Sequence, residues 1–313
     1  MKLSRLVTDY LVYRRALGSR FVTYGFVLRS FCRHLADPQL EQVTADDMRD
    51  FLFRGRVSRS TVALKRRALA GLYQYANARR YGKLPPPPAL PVVPRSSFVP
   101  YIYSEDELKR LLDAVPAACA VPNSLTEDCA FRALLLTLYG AGLRLGEALR
   151  LKDVDVDLQD AVLTIRDTKF FKTRLVPIGK DLVHVLTDYR SRRDRRHTVN
   201  PDTHLFRLRT GAPMHNGIVE RTFVRVRTAA GICRAGGPRQ QPRLHDLRHT
   251  AAVHRLVRWY RTGVDLQRQL LRLATYLGHQ DLAGTQHYLT LTPPLLRAAS
   301  RRFERYAREN HHE

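Results

Sequence analysis

LHDLRHT (Leu244–Thr250), YLGHQ (Tyr276–Gln280) and GTQHYLT (Gly284–Thr290) fall within one short segment, and its reading decides the fold of the rest. His245 and Arg248 lie three apart, which on a helix places them on one face. Gly278 and Gly284 bracket His279, and glycine favours helix boundaries, so His279 is expected at a helix end. Tyr288 follows on the next short helical turn. Three of these side chains can bind a phosphate and the fourth can attack one. Taken alone each has a plainer reading: a lone tyrosine is more often a packing aromatic, and His245 with His249 has the i, i+4 spacing of a metal pair. No third ligand of the right kind lies nearby and the glutamate of an HExxH motif is absent, so no metal site is expected.

Two further stretches precede these in order. GAGLRLGEAL (Gly140–Leu149) carries Arg144, and DTKFFKTRLVPI (Asp167–Ile178) carries Lys169 and Lys172. Together with HDLRHT, LGH and the tyrosine, the ordered set resembles the tyrosine recombinase (phage integrase) family, and the segment from Trp259 to His279 is closer in length to transposon-borne members. The resemblance runs from Gly142 to Tyr288; residues before about Phe98 match only in general character. It implies a mostly α fold with a small β-hairpin or sheet, made of a helical N-terminal core-binding domain and an α+β catalytic domain. It also implies a site-specific recombinase that cuts and rejoins DNA through a 3′-phosphotyrosine, integrating or excising a mobile element. The catalytic set so implied is Arg144, Lys169, His245, Arg248, His279 and Tyr288. Lys169 takes the family's general-acid place by counting back from RLVP. Lys172 competes for it, because Phe170 and Phe171 stand where the family hairpin usually has glycine.

These residue types suit the chemistry. In-line attack on a phosphodiester gathers negative charge on the non-bridging oxygens, so preorganised cations are the main requirement. Arg144 and Arg248 offer planar forks that stay charged at any relevant pH. His245 and His279 can donate hydrogen bonds or move protons. A tyrosine with a pKa near ~10 must lose its proton during attack, which cationic neighbours make less costly. Glu147, three residues after Arg144, is placed to hold it by an ion pair. The bond energy is kept in the phosphotyrosine, so no ATP, metal or other cofactor is implied.

Composition agrees with a polyanionic partner. The chain has 313 residues, a formal net charge of +24 and a pI near 10.6, too basic for an ordinary enzyme of small metabolites. Residues 1–99 hold 18 Lys and Arg against 6 Asp and Glu, so both halves are expected to meet the phosphate backbone of double-stranded DNA. No apolar run approaches the ~20 residues that cross a bilayer and the N-terminus has no signal-peptide core, which points to a cytoplasmic protein without a membrane partner. Four scattered cysteines without a CxxC pair suggest neither disulfides nor a zinc knuckle.

Along the chain, the apolar spacing of Leu3–Ala36 predicts a first helix and a longer second one, with Gly18 and Gly25 as interruptions. Thr44 is expected to cap a third helix ending near Arg54. Ser58–Arg80 pairs an apolar stripe with a basic face bearing Lys65, Arg66 and Arg67, the expected DNA contacts. These helices form a DNA-binding domain over residues 1–84. A Pro-rich linker follows at 85–100, and residues 101–313 form the catalytic domain. Ser104 caps the next helix, an all-round apolar helix spans about Thr126–Tyr139, Ala161–Ile178 reads as a hairpin, and Leu182–Arg190 as a helix. The stretch SRRDRRH (Ser191–His197) reads as a basic loop, and Gly217–Ala230 as a further helix. From Pro293 and Pro294 a tail with Leu295, Leu296, Ala299, Phe303 and Tyr306 on one stripe is expected to dock on a neighbouring subunit, as in the family, in a homo-oligomer that is tetrameric at strand exchange. Accessory recombinases are further expected partners. Two alternatives stay open: a DNA-binding accessory protein that has kept the fold and lost strand transfer, or a type IB-like topoisomerase.

Overall fold

A computed structural model describes residues 1–278 apart from 20, 83, 91–98, 167–172 and 199. Lys169, Lys172, His279, Tyr288 and the C-terminal tail therefore lie outside the described residues. The chain divides into two compact units after Ser96.

The first unit is four helices: α1 (Leu3–Ala16), α2 (Val22–His34), α3 (Ala45–Phe53) and α4 (Arg59–Ala78). The starts of α3 and α4 follow from side-chain capping. Thr44 accepts from the Asp47 amide (3.1 Å) while the Asp47 carboxylate accepts from the Thr44 amide (2.9 Å), and Ser58 accepts from the Thr61 amide at 3.2 Å. Such caps each contribute about 1 kcal/mol. Leu3, Leu6, Leu28, Phe31, Met48, Leu52, Leu69 and Leu72 close one core. The second helix is not the longer one, having 13 residues against 14. Gly25 lies inside it and does not interrupt it: the helix runs through this glycine, which is buried beside Leu11. Gly18 does end α1, with φ +77°. The first connector residues also belong to this unit, because Leu84 is buried and Pro88 O accepts from Arg66 Nε at 2.7 Å.

The second unit carries α5 (Glu105–Asp113), α6 (Val115–Cys119), α7 (Asp128–Gly140), α8 (Leu145–Ala148), β1 (Val156–Asp157), β2 (Val162–Ile165), β3 (Arg174–Pro177), α9 (Lys180–Asp194), α10 (Asn216–Ala229), α11 (Asp246–Arg261) and α12 (Leu266–Leu277). Ser104 and Glu107 form a reciprocal capping box at α5. The apolar α7 is the buried centre, with Phe131, Leu134, Leu135 and Leu138 all in the core. The three strands are antiparallel in the order β1-β2-β3, and Ile165 pairs with Arg174, so β2 and β3 are the two arms of a hairpin. Leu163, Ile165 and Val176 turn inward from it, as a period-2 strand requires.

A further expectation is overturned in this unit. Ser191–Asp194 of the supposed basic loop continues α9, because Leu182, Leu186, Tyr189 and Arg193 form one buried stripe at helical spacing. Arg193 is buried and donates to both Asp153 carboxylate oxygens at 2.9 Å and to Leu205 O at 3.0 Å. Its charge belongs to the interior. Among the described residues no helix is long and apolar enough to cross a membrane.

Candidate active site

Glu147 is the centre of the site. It sits in the short helix α8, and its carboxylate is buried at 5% exposure. Arg144, the N-cap of α8, donates its amide to Oε2 (3.0 Å) and Nη1 to Oε1 (2.9 Å). Arg174, the first residue of β3, meets the same carboxylate as a two-pronged fork, Nη1 to Oε1 at 3.1 Å and Nη2 to Oε2 at 2.8 Å. Arg248 Nη1 stands 3.9 Å from Oε2. Burial alone raises the pKa of this carboxyl, but the hydrogen bonds and charge of Arg174, then those of Arg144, outweigh it and hold the pKa down at about 2. One buried anion thus gathers three guanidinium groups.

The same arginines seize the end of α12. The last carbonyls of a helix have no partner within it and carry the negative end of its dipole. Here Arg174 Nε donates to Tyr276 O (3.2 Å), Arg248 Nη2 to Leu277 O (2.5 Å) and Arg144 Nη2 to Gly278 O (3.2 Å). Gly278 closes the helix in the left-handed region, φ +67°, and a Cβ on it would lie 2.8 Å from Arg174 Nη1. Its lack of a side chain is needed twice. His279 is the next residue in the chain.

Arg248 lies in the first turn of α11 and is 2% exposed; its Nη1 donates to Gly142 O at 2.6 Å. Gly142 has φ +62°, and a Cβ there would come within 2.9 Å of Leu277 Cδ2. The structure therefore brings Arg144, Glu147, Arg248 and the end of α12 together around residues 142–148. His245 is the N-cap of α11 and is exposed. The surrounding protein, then the charges of Arg248 and Arg243, lower its pKa below the ordinary histidine value, with Asp246 opposing. Its ring meets that of His249 edge-on at 4.8 Å. Arg243 fastens this helix start through its amide to Asp246 Oδ2 (2.8 Å) and Nη2 to Oδ1 (3.0 Å).

Of the expected DNA contacts in the first unit, Lys65 donates to Phe51 O at 2.7 Å and lies over the Phe51 ring, Arg66 holds Pro88 O, and Arg67 is exposed. The residue the sequence reading missed is Arg174. It was in view, inside RLVP, but its partners are 27 and 102 positions away.

The second unit and part of the tail, residues 102–293, match the model of the phage integrase family, and residues 10–80 match the N-terminal SAM-like domain of phage integrases. The chain belongs to the phage integrase, or tyrosine recombinase, family. A Sinorhizobium fredii integrase/recombinase, y4rB, is 42% identical to this recombinase over 226 residues, 71% of each chain. The tyrosine recombinase XerC of Methylobacterium nodulans is 31% identical over 300 residues, 88% of this chain and 83% of that one. The Tn1549 transposon integrase, solved with transposon right end DNA, has the same fold at a TM-score of 0.65 and 17% identity, covering 98% of this chain and all of that one.

Proposed function

We propose that this recombinase cleaves and rejoins double-stranded DNA at a specific site, with Tyr288 as the nucleophile. The phenolic oxygen bonds to phosphorus, the bond from phosphorus to the 5′ oxygen breaks, and the phenolic proton is lost to the surroundings. The products are a 3′-phosphotyrosine and a 5′-hydroxyl, whose proton comes from the hairpin lysine, Lys169 or its neighbour Lys172. Arg144, His245 and His279 bind the non-bridging oxygens as charge builds there, and Arg248, buried against Gly142 O and Leu277 O, adds its positive charge from beside them. Reversing the steps with a 5′-hydroxyl from another strand rejoins the DNA without ATP.

The observation that carries this reading is the pairing of Arg144 and Arg248 about one buried carboxylate, at the helix end that leads into His279. Arg144 is 43% exposed in its side chain and so can meet a ligand while Glu147 holds its amide and Nη1. Lowering the His245 pKa keeps its ring neutral near pH 7 until an anion arrives, and a bound phosphate then favours its protonated, donating form. The basic first unit clamps the duplex through Arg67, Lys65 and Arg66 of α4, the last two while also holding backbone carbonyls. Four subunits assemble at strand exchange, each docking its C-terminal segment on a neighbour, and the substrate is the end of a mobile element, with accessory recombinases as further partners.

The test is covalent trapping. Nicked duplexes drawn from the DNA flanking the gene are incubated with wild type and Tyr288→Phe, and protein–DNA adducts are resolved under denaturing conditions. An adduct formed by wild type and lost in Tyr288→Phe is the expected result. Wild type that binds these duplexes and forms no adduct on any of them overturns the reading.

A further inference from the structure

The mechanism above uses Arg144 and Arg248 but leaves a third guanidinium of the cluster without a role. Arg174 is 13% exposed in its side chain, against 43% for Arg144. Both of its Nη atoms are taken by Glu147 and its Nε by Tyr276 O, so it is directed at protein groups. Those groups are the ones that set the site. Glu147 Oε1 receives Nη1 of both Arg174 and Arg144, and Oε2 receives Arg174 Nη2 and the Arg144 amide. With the fork in place the carboxylate has one orientation, and that orientation aims Arg144. The third donor of the same planar group holds the carbonyl two residues before Gly278, where α12 ends.

We propose that Arg174 is a positioning residue for DNA cleavage: by bridging Glu147 to the end of α12, it holds Arg144 at one spacing from that helix end, so that Arg144 is aimed at the phosphate. This rests on the assignment of Arg144 as a phosphate-binding group. Only a planar group with donors on three nitrogens can bridge two carboxylate oxygens and a carbonyl at once. A lysine keeps the charge as a single point and cannot span them. Gly278 completes the fit, since any Cβ there would press on the Arg174 guanidinium.

A purely structural role, or a role through the hairpin lysine, would leave different traces. Cleavage of a nicked duplex is followed for wild type, Tyr288→Phe, Arg174→Ala and Arg174→Lys, with DNA affinity and thermal stability measured on the same samples. A second duplex carries sulfur in place of the bridging 5′ oxygen. Its leaving thiolate needs no proton, because a thiol pKa is about 8.5, so it restores defects in proton donation alone. The expected result is DNA affinity within about threefold of wild type and a cleavage rate down about 100-fold in Arg174→Ala, the cost of displacing catalytic groups by about 1 Å. Arg174→Lys, melting close to wild type, should still lose about tenfold, a step of about 1.4 kcal/mol in the barrier. Sulfur should restore neither variant.

Cleavage by both variants within about threefold of wild type overturns the proposal, as does restoration by sulfur, which would place Arg174 behind the lysine. A loss of cleavage that merely follows loss of affinity or of folded protein in both variants overturns it too. Absence of any Tyr288-dependent adduct in wild type removes the underlying reading and the proposal together, which separates that failure from the others.

Discussion

Replacing Glu147 with Gln removes one charge and almost no volume, and the structure fixes how much that should cost. The carboxyl has its pKa held at about 2 against an ordinary 4.5. At about 1.4 kcal/mol per pKa unit, the ionised form contributes roughly 3 kcal/mol to stability at pH 7. The sign follows from the direction of the shift. Because the folded-state pKa is depressed, the contribution is fully present above the unfolded value of 4.5 and is lost as pH falls toward 2. A glutamine can accept at one atom only; its amide nitrogen would face an arginine N–H and leave the fork of Arg174 half unpaired in a buried site. Urea unfolding of the second unit's transition in Glu147→Gln should therefore show a loss of about 3 kcal/mol at pH 7, shrinking to roughly half near pH 3. A loss below about 1 kcal/mol at pH 7 would refute the reasoning, because it would put the carboxylate in the class of exposed pairs. So would a loss that stays constant across this range.

Further outcomes follow from the same contacts. Arg248→Lys should lower strand cleavage by at least 100-fold while the protein stays folded, since a lysine cannot hold Gly142 O and Leu277 O together; trapping assays with parallel circular dichroism check this. Gly142→Ala should destabilise the protein by about 1–3 kcal/mol, for its φ of +62° and the 2.9 Å approach to Leu277, as read by thermal melts. His245 has a folded-state pKa below the ordinary 6.5, so the unfolded chain binds its proton more readily and stability falls as pH drops through 6.5. His245→Asn should flatten the stability profile between about pH 7 and pH 5, measured by urea midpoints. Arg67→Ala should weaken binding to all duplexes alike and reduce the salt slope by about 1, whereas Lys65→Ala should also cost stability, because Lys65 is tied to Phe51 O.

Much of this was legible in the residues themselves. Thr44, Ser58 and Ser104 announce helix starts because a cap is a local contact within three positions. Glu147 follows Arg144 by one helical turn, so their ion pair could be read directly. Arg174 could not, since its meaning comes from a carboxylate on another element and a carbonyl of α12. Charge misled in the same way at SRRDRRH, where Arg193 faces inward to Asp153. A basic side chain in a sequence advertises a charge and not its direction. The helical stripe decides that direction only once its packing partner is known.

The guanidinium of Arg248 also governs how such a chain tolerates change. It joins Gly142 O, two residues before Arg144, to Leu277 O, two residues before His279. The two motif segments are thus registered by a single side chain clamped between their backbones, and the length of chain between them does not set their spacing. Residues may be added to the turn near Gly263 between α11 and α12 at a loop-closure cost of only about 0.6 kcal/mol per doubling of its length. The chain between Gly142 and Leu277 can then change in length while these two backbone segments keep the same separation.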